Sequence, residues 1–490
     1  MLDLEQLAES GEFIMEKLHE YILYVDHFSD DYQDNRQHKV CQPKNINDVF
    51  NHYKPCKNHI ELITEEGDIV YEDFEFQDIS DFDDEQLIAH STILSILHKK
   101  MNESAVASQC LKENLCIIHE ETRTLEITYR TLELLISTTS EDIFLINVNK
   151  ENLGHYDSYD TQVIYGMLEG CYKTYDGDGV PNIMGIPVYL VIPGYLGDGS
   201  TVRMWAKAAF RNRIVLITDF MDCSDFDMLI HKLNEAYLLG QENYLANVVV
   251  TCNYIAAKLG KSVMGEERKL YIPASAALTA RMLRIMYDIQ LELPVYDNAG
   301  TRIKLLETQN IVDIESALYD KLYDTDVRID LSEAQNQEIR NLGLVPIVKQ
   351  SKKSSQSIGI TSIRTLYNGG ADVLWEFLFT FILSNIENPI RDALNRLYWL
   401  ARNKWPNDID NKQDQFVGII DKYLSLMQNN LIQDYEIKRV EIYRYHPNFY
   451  KESVVDLEIR ILNKTIMLEI RRNNIIEKHI AFINEYKIDF

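Results

Sequence analysis

Beyond residue 160, the apolar positions follow the pattern of buried strands alternating with amphipathic helices. Three short runs rich in β-branched residues predict strands at 187–192, 213–219 and 247–252. Between the last two runs, segment 226–240 carries apolar residues at the spacing of one helical face. Continuous apolar strands separated by helices are typical of a largely parallel sheet that is covered on both faces. The pattern therefore predicts a mixed α/β fold.

Helix-like patterns dominate the following part of the chain. Segment 331–344 begins with a capping residue, Ser332, and ends at Gly343, so both ends of a helix are marked. Segment 350–357 is rich in Ser and Lys, and we predict a polar loop there. Further helices are predicted at 372–386, at 389–402 with Pro389 in the first turn, and at 414–430.

Near the end of the chain, the apolar period changes from helical to strand-like. Alternate residues are apolar in two segments joined by a two-residue turn, and the residues between them are mostly polar. This alternation predicts a β-hairpin over 455–470 with one apolar face. The apolar residues of the hairpin are Val455, Leu457, Ile459, Ile461, Ile466, Leu468 and Ile470.

Charge is distributed unevenly along the chain. Residues 1–150 carry 31 acidic and 12 basic side chains, a net charge of -19 out of -27 for the whole chain. We expect this third to form a separate, exposed acidic domain or insertion with a boundary near 151–160. Helices are predicted in it at 4–24 and 84–100, the second led by the acidic run 78–85. The remaining divisions are an α/β domain over 151–300 and a C-terminal domain over 301–490.

The net negative charge and the cysteines limit the partners and the cellular compartments that suit the protein. A net charge of -27 disfavours general binding to nucleic acid or to an anionic membrane surface. The seven cysteines show no framework spacing, which indicates reduced thiols in a cytosolic protein. We expect no secretory signal at the N-terminus and no membrane span. The longest apolar stretch, 373–383, is interrupted by Glu376 and falls short of the roughly 20 residues that a span needs.

The most enzyme-like feature is a group of carboxylates after a predicted strand. Asp219, Asp222, Asp225 and Asp227 follow the strand end at which α/β enzymes often place catalytic side chains. Acidic loops also occur at such positions for solubility alone. An α/β enzyme that uses these residues is therefore an alternative, while we expect no catalytic residues.

Two glycine-rich loops resemble ligand motifs only in part. Segment 175–179 is similar to the first half of a calcium loop, but Pro187 stands where the bidentate Glu is needed. Segment 194–200 lacks the Lys-Ser/Thr ending of a phosphate loop, and Val202 replaces the third Gly of a dinucleotide motif. We interpret segment 175–179 as a turn built from Asp and Gly. We do not expect segment 194–200 to bind phosphate, and we expect no cofactor.

Two groups of Cys and His residues have spacings that differ from the paired units of common zinc sites. In principle they supply six ligands to one site, but such residues are more often structural, and we expect no metal. The residues are His52, Cys56, His59, Cys110, Cys116 and His119.

Taken in order, several segments from about residue 205 onward resemble the contractile tail-sheath proteins of bacteriophages. The same family includes the sheath subunits of contractile injection and type VI secretion machines. Segment 206–219 is similar to the family's helix, basic pair and strand ending in Asp, and 271–281 to its Pro-Ser entry into a small-residue helix. Segments 331–348 and 359–366 resemble the family's middle helix and its glycine-to-Arg-Thr-Leu run.

The sequence also departs from this family. A Pro-Gly-Val strand near the N-terminus is absent, and residues 1–150 have no counterpart that we can place. Segment 358–362 replaces Trp-Gly-Ala, and 404–407 is all that corresponds to Phe-Glu-Pro-Asn.

The resemblance implies a structural subunit that polymerises in helical six-subunit layers around an inner tube. Contraction would drive the tube through a cell envelope without ATP hydrolysis. The implied partners are other copies of the chain, the tube protein, and baseplate and tail terminator proteins, with no nucleic acid and no membrane insertion. The implied location is a phage tail assembled in the bacterial cytoplasm, or the cytoplasm itself for a secretion sheath.

Particular residues are candidates for the implied contacts. The apolar residues of the 455–470 hairpin are candidates for strands that link subunits. Arg391, Arg396, Arg402 and Lys404 are candidates for a basic face toward the tube. A phage tail sheath is the first hypothesis, and a secretion-type sheath is the second. The alternatives are the enzyme described above and another virion or baseplate structural protein.

Overall fold

The computed structural model describes the chain in segments, which lie between residues 20 and 471. They are 20–28, 42–45, 48–49, 57–63, 69–75, 116–118, 120–139, 142–168, 173–175, 181–183, 186–212, 214–261, 267–280, 282, 312–313, 322–352, 355–360, 363–370, 372–377, 379–384, 386–387, 390–391, 394, 409–428, 432–442, 453–461 and 464–471.

Strands and helices alternate mainly over residues 120–252, and strands dominate the other described segments. The strands are β1 Glu20–Asp26, β2 Lys57–Ile63, β3 Ile69–Glu75, β4 Cys116–Ile118, β5 Asp142–Asn147, β6 Lys173–Tyr175, β7 Pro181–Ile183, β8 Ile186–Tyr195, β9 Val215–Asp219, β10 Val248–Cys252, β11 Ile255–Lys261, β12 Glu267–Ile272, β13 Val312–Asp313, β14 Leu322–Val327, β15 Val345–Pro346, β16 Val348–Lys352, β17 Ser355–Ile360, β18 Asp434–Glu441, β19 Val454–Ile461 and β20 Lys464–Arg471. The helices are α1 Glu120–Thr138, α2 Tyr159–Leu168, α3 Gly199–Arg211, α4 Phe226–Ala236, α5 Glu333–Asn341 and α6 Ile409–Met427. Short 3-10 turns lie at Lys150–Gly154, Asn243–Asn247 and Asp372–Trp375.

A six-stranded sheet forms the centre of the fold, in the order β15-β10-β9-β8-β1-β5. Every neighbouring pair in it is parallel. The three strands predicted from apolar runs are β8, β9 and β10, and α4 is the helix predicted between the last two. The prediction of a mixed α/β fold is confirmed.

Helices and loops cover both faces of this sheet, so its strands are apolar on both sides. On one face, Leu23 and Ile192 pack in the same cluster as Trp205 of α3 and Leu229 of α4. On the other face, alternate strand residues pack with Leu132 of α1 and with the helical residues that begin at Ser275. This double cover explains why the sequence shows continuous apolar runs instead of alternation.

The sheet is doubly wound. The chain moves from β8 through α3 to β9 and through α4 to β10, each time one strand further in one direction. From β1, however, the next strand of the sheet along the chain is β5, on the opposite side of β1. The winding therefore reverses between β1 and β8.

The predicted helix over 4–24 is wrong where the structure describes it, because β1 begins at Glu20. Tyr21, Leu23 and Val25 face one side of the sheet, and Ile22 and Tyr24 face the other. An apolar run of this length fits a buried strand as well as a helix. Residues 4–19, the predicted helix 84–100 and the acidic run 78–85 lie outside the described residues. The domain division at residue 150 stays a prediction, and β1 and β5, which precede it, pair within the central sheet.

Helix α5 has both of the ends that the sequence marks. Ser332 forms a capping box with Gln335, and Gly343 has φ 81 just beyond the helix. The predicted loop over 350–357 is wrong, because β16 and β17 form a hairpin there. Polar residues at its tip, which pairs Lys352 with Ser355, concealed two short strands whose apolar residue Ile358 is buried.

The predicted C-terminal helices are described to different extents. Helix α6 confirms the prediction over 414–430 and begins five residues earlier, at Ile409. Within 372–402, a 3-10 turn occupies Asp372–Trp375 and residues 379–384 are helical. Among the described residues, no helix is both long enough and apolar enough to cross a membrane.

Candidate functional site

The Asp-rich strand end lies at the carboxyl edge of the central sheet, and Asp219 is its buried member. Its Oδ2 accepts a hydrogen bond from the Gly194 N–H (2.9 Å). Its Oδ1 accepts from the Ser275 N–H (2.8 Å) and from the Thr251 hydroxyl. Asp219 therefore ties β9 to β8, to β10 and to the helical residues at 275. These contacts give the carboxylate a structural role.

The electrostatic setting of Asp219 combines two opposing effects. Burial raises the pKa of this carboxyl above its ordinary value, while the hydrogen bonds from Ser275, Thr251 and Gly194 act in the opposite direction. With 2% of its surface exposed, the carboxyl is shielded from solvent. A substrate would have to displace at least one of these partners to reach it.

The other three carboxylates lie nearer the surface. Asp222 pairs with Arg328 (3.4 Å), and burial raises its pKa although the arginine lowers it. Asp225 caps α4 by accepting from the Met228 N–H (2.8 Å), and this bond holds its pKa below the ordinary value. Asp227 lies in the first turn of α4, where a negative charge suits the helix dipole. Helix capping and ion pairing thus explain the carboxylates that the sequence offered as a catalytic group.

The reversal between β1 and β8 is the place where doubly wound sheets usually bind ligands. Here Lys150 bridges the two strands. Its ammonium contacts the buried carboxylate of Asp26 (2.6 Å) and donates to the Pro193 carbonyl (2.7 Å). The side chain of Lys150, from the segment after β5, therefore occupies the space between the ends of β1 and β8.

The glycine-rich loop 194–200 connects β8 to α3 at the same edge. Gly194 and Gly197 have φ 79 and φ 132, values that suit glycine. Asp198 caps α3 by accepting from the N–H groups of Ser200 (3.0 Å) and Thr201 (3.1 Å). A bound phosphate would need these donors, which here bind the Asp198 carboxylate.

A second candidate site is the C-terminal sheet, which consists of three antiparallel strands in the order β18-β19-β20. The predicted hairpin is formed by β19 and β20, with Val455 opposite Ile470 and Ile459 opposite Ile466. Strand β18 was not predicted, because its apolar alternation is broken by a bulge between Ile437 and Arg439. The described part of the chain thus gives β19 a partner on each side.

All seven apolar residues proposed for subunit linkage are buried, with at most 5% of their surface exposed. They pack in the same core cluster as Phe416 and Leu424 of α6 and Phe379. In this form the hairpin is therefore anchored to its own chain, and the outer strands are β18 and β20.

The opposite face of this sheet carries a network of ion pairs. The Arg439 Nε contacts Asp456 (2.6 Å), and its other nitrogens approach Glu441 (3.7 Å) and Glu469 (4.0 Å). Lys438, the bulge residue, lies between Glu436 and Glu458 (2.9 Å to the latter). These pairs join β18 to β19 and β20 and oppose slippage of the register.

Of the four residues proposed to face a tube, only Arg391 lies within the described segments. It is 2% exposed, pairs with Glu387 and donates from Nε to the Arg471 carbonyl (3.3 Å). Its guanidinium therefore points into the protein in this form. Arg396, Arg402 and Lys404 lie outside the described residues.

The Cys and His groups fall largely outside the described residues. His59 and Cys116 lie on the neighbouring strands β2 and β4, and the other four lie outside. No cluster of three potential metal ligands occurs among the described residues. Cys223 and Cys252 are free and buried, and burial raises the pKa of Cys223 to about 11.

Comparison with known families supplies an independent result. Residues 117–291 match the family of the type VI secretion system TssC/VipB central domain. The match covers just over a third of the chain, from the second residue of β4 through β12, and includes helices α1–α4. It begins at residue 117, inside the acidic third for which sequence reading found no counterpart. No curated protein matches the chain.

The matched family is a sheath family of a contractile secretion machine. The match supports the assignment of this chain to the contractile sheath proteins, which are structural proteins of contractile injection systems. The broad prediction drawn from the resemblance is confirmed at that level.

Proposed function

We propose that this chain is a sheath subunit that polymerises in helical six-subunit layers around an inner tube. A change from an extended to a contracted lattice would drive the tube forward without nucleotide hydrolysis. The observation that carries this proposal is the match of residues 117–291 to the TssC/VipB central domain. A central sheet covered on both faces suits subunits that move as rigid bodies in such a change.

Between the two kinds of machine, the match favours a secretion-type sheath over a phage tail, because the family is that of a type VI system. Assembly would then take place in the bacterial cytoplasm. A phage tail remains the second candidate, and the resemblance of the segments after residue 205 supports it.

The C-terminal sheet is the element that we assign to subunit linkage. Its apolar face is anchored to α6, while β18 and β20 are the outer strands. A strand from a neighbouring copy adds to such an edge through backbone hydrogen bonds, and alternate side chains give specificity. The buried residues from Val455 to Ile470 then serve as the anchor of the linked sheet.

The proposed partners are the neighbouring copies, the tube protein and the proteins that close the two ends of the sheath. Arg396, Arg402 and Lys404 remain the candidates for a basic face toward an acidic tube. Arg391 is excluded from that face while its guanidinium stays paired with Glu387.

Sedimentation velocity tests the proposal. The full chain should form rings or polymers far larger than a small oligomer. Removing residues 453–490 deletes β19 and β20, which carry the residues assigned to subunit linkage. If polymers form without that segment, linkage through this end of the chain is wrong, although the sheath assignment stands. A full chain that remains a small oligomer at all protein and salt concentrations would contradict the sheath proposal itself.

A further inference from the structure

Three large side chains that the fold leaves exposed lie near the first turns of α3 and α4. Tyr195 and Met228 are each 40% exposed, and Tyr237 is 79% exposed. Tyrosine is enriched at the centres of protein interfaces. These residues therefore mark a surface suited to a protein partner.

Contacts between the two helices bring these side chains onto one surface. Arg203 of α3 donates to the Tyr237 carbonyl (2.8 Å), which places the end of α4 against the start of α3. At Gly199, a Cβ atom would lie 2.2 Å from the same carbonyl, so this close approach requires glycine. The Tyr195 ring packs edge-on against Phe220, with 5.7 Å between the ring centroids, in the segment that leads from β9 to α4. Burial raises the pKa of Tyr195, Asp198 raises it further, and Lys232 of α4 lowers it.

Tyr237 is the least expected of the three residues for the isolated fold. It adopts the left-handed conformation, with φ 50, at the C-terminal cap of α4. That conformation favours glycine or asparagine over a bulky residue. Because the ring is mostly exposed, it gains little from packing within its own chain. A contact with another molecule would explain a tyrosine at this position.

Opposite charges lie at the two ends of α3. The two basic side chains of the tyrosine surface are paired, Arg203 with Glu242 (3.6 Å) and Lys232 with Glu235 (3.0 Å). Asp198 at the start of α3, together with Asp225 and Asp227 of α4, therefore leaves this surface acidic. Lys207 and Arg211, four residues apart on α3 and both exposed, make its last turns basic. The two ends are about 20 Å apart at 1.5 Å per residue. The same helix thus presents complementary charges on two separate surfaces.

We infer that the acidic tyrosine surface of one copy docks on the basic end of α3 in the next copy. This inference rests on the proposed function, because the occupant is a second copy of this chain. A contact between two different surfaces is heterologous, and repetition of such a contact builds an open helical assembly. Charge complementarity determines which surface of one copy meets which surface of the next. Tyr237 and Tyr195 supply the apolar contact at the centre of this interface.

Substitutions at the two surfaces test this inference in the full chain. Tyr237→Asn removes the ring but suits the left-handed backbone, so the variant should fold like the parent. Asp227→Arg and Lys207→Glu each reverse one charge. Each single variant should raise the critical concentration for polymerisation by about 10-fold or more, as expected for a hot-spot residue. The double variant, Asp227→Arg with Lys207→Glu, should return it to within about 3-fold of the parent, because the charges are complementary again.

The matched control combines Asp227→Arg with Lys422→Glu, a reversal on the exposed face of α6. This pair should show no recovery. Normal polymerisation of all single variants overturns the inference, and so does recovery with the Lys422→Glu control. If the variants polymerise normally but no longer enclose a tube, the surface belongs to a different partner and the inference also fails. A parent chain that never polymerises contradicts the proposed function as well, which distinguishes the two failures.

Discussion

The Asp219 carboxylate accepts a hydrogen bond from the backbone N–H of Ser275, 2.8 Å away and 56 residues further along the chain. The same carboxylate accepts from Gly194 and Thr251, so one side chain joins four segments at the carboxyl edge of the sheet. The hydrogen bonds of Asp219 thus stabilise the packing of these segments, and its role is structural and not catalytic.

Replacing Asp219 by Ala should therefore destabilise the protein strongly. Three buried donors would lose their acceptor, and an unsatisfied buried group costs about 1–3 kcal/mol. We expect the free energy of unfolding to fall by about 3 kcal/mol or more, measured by urea denaturation. Asp157→Asn, at an exposed carboxylate, is the control and should stay within about 0.5 kcal/mol of the parent. A loss for Asp219→Ala no larger than that of the control would contradict the assignment.

The Asp219 carboxyl predicts that the free energy of unfolding depends on pH. Burial raises its pKa in the folded chain, so above the ordinary aspartate range the folded state retains a proton that the unfolded state has released. The stability that it contributes is greatest in acid and is lost as pH rises through the raised pKa. Comparing unfolding of the parent with that of Asp219→Asn between about pH 4 and pH 8 measures this term. The advantage of the parent should shrink with rising pH. An advantage that grows would mean that the three hydrogen bonds outweigh burial.

Asn253 offers a separate test at the junction between the central sheet and its neighbours. Its backbone has φ 77, and its amide nitrogen donates to the carbonyls of Ile329 (2.8 Å) and Ile347 (2.7 Å). Its side-chain oxygen accepts from the Ile329 N–H (2.8 Å). Asn253→Gly should lose about 2–3 kcal/mol of unfolding free energy through these bonds.

The alanine variant should be worse by about 1 kcal/mol, since a Cβ atom disfavours the left-handed conformation. Elsewhere alanine is usually the more stabilising of the two residues. An alanine variant more stable than the glycine variant would contradict this account of the backbone.

The central sheet and Asp219 show which features could be predicted from the sequence and which could not. The apolar runs of β8, β9 and β10 predicted the parallel sheet because strands covered on both faces are apolar throughout. The role of Asp219 was not predictable, since its partners come from three separate parts of the chain. The helical prediction for 20–24 failed because a short apolar run fits either structure, and only pairing with β5 and β8 decides between them.

The C-terminal sheet gives a prediction for Arg439, whose guanidinium contacts Asp456 at 2.6 Å. Arg439→Met should lower the free energy of unfolding by about 1 kcal/mol, a modest value because the arginine is partly exposed. The loss should shrink in about 1 M salt, where ion pairs at the surface are screened. Lys422→Met on α6 is the matched control and should show little change at either salt concentration. A loss that is independent of salt would mean that Arg439 acts through packing of its aliphatic part.

The hairpin of this sheet was predictable because its alternation is regular, with Val455, Leu457 and Ile459 on one face. Strand β18 was not, because the bulge at Lys438 shifts its pattern and its outward residues are charged. The burial of Arg391 could not be predicted from the sequence either. Its partner Glu387 lies four residues earlier, and that spacing does not indicate whether the pair faces solvent or the protein interior.

Negative-stain electron microscopy of the full chain, over a range of salt concentrations, tests the central claim most directly. A sheath subunit should form striated tubes or six-fold rings, either as purified protein or in lysates of cells that produce it. Fields that contain only dispersed particles of one small size, in both preparations and at every salt concentration, would contradict the account.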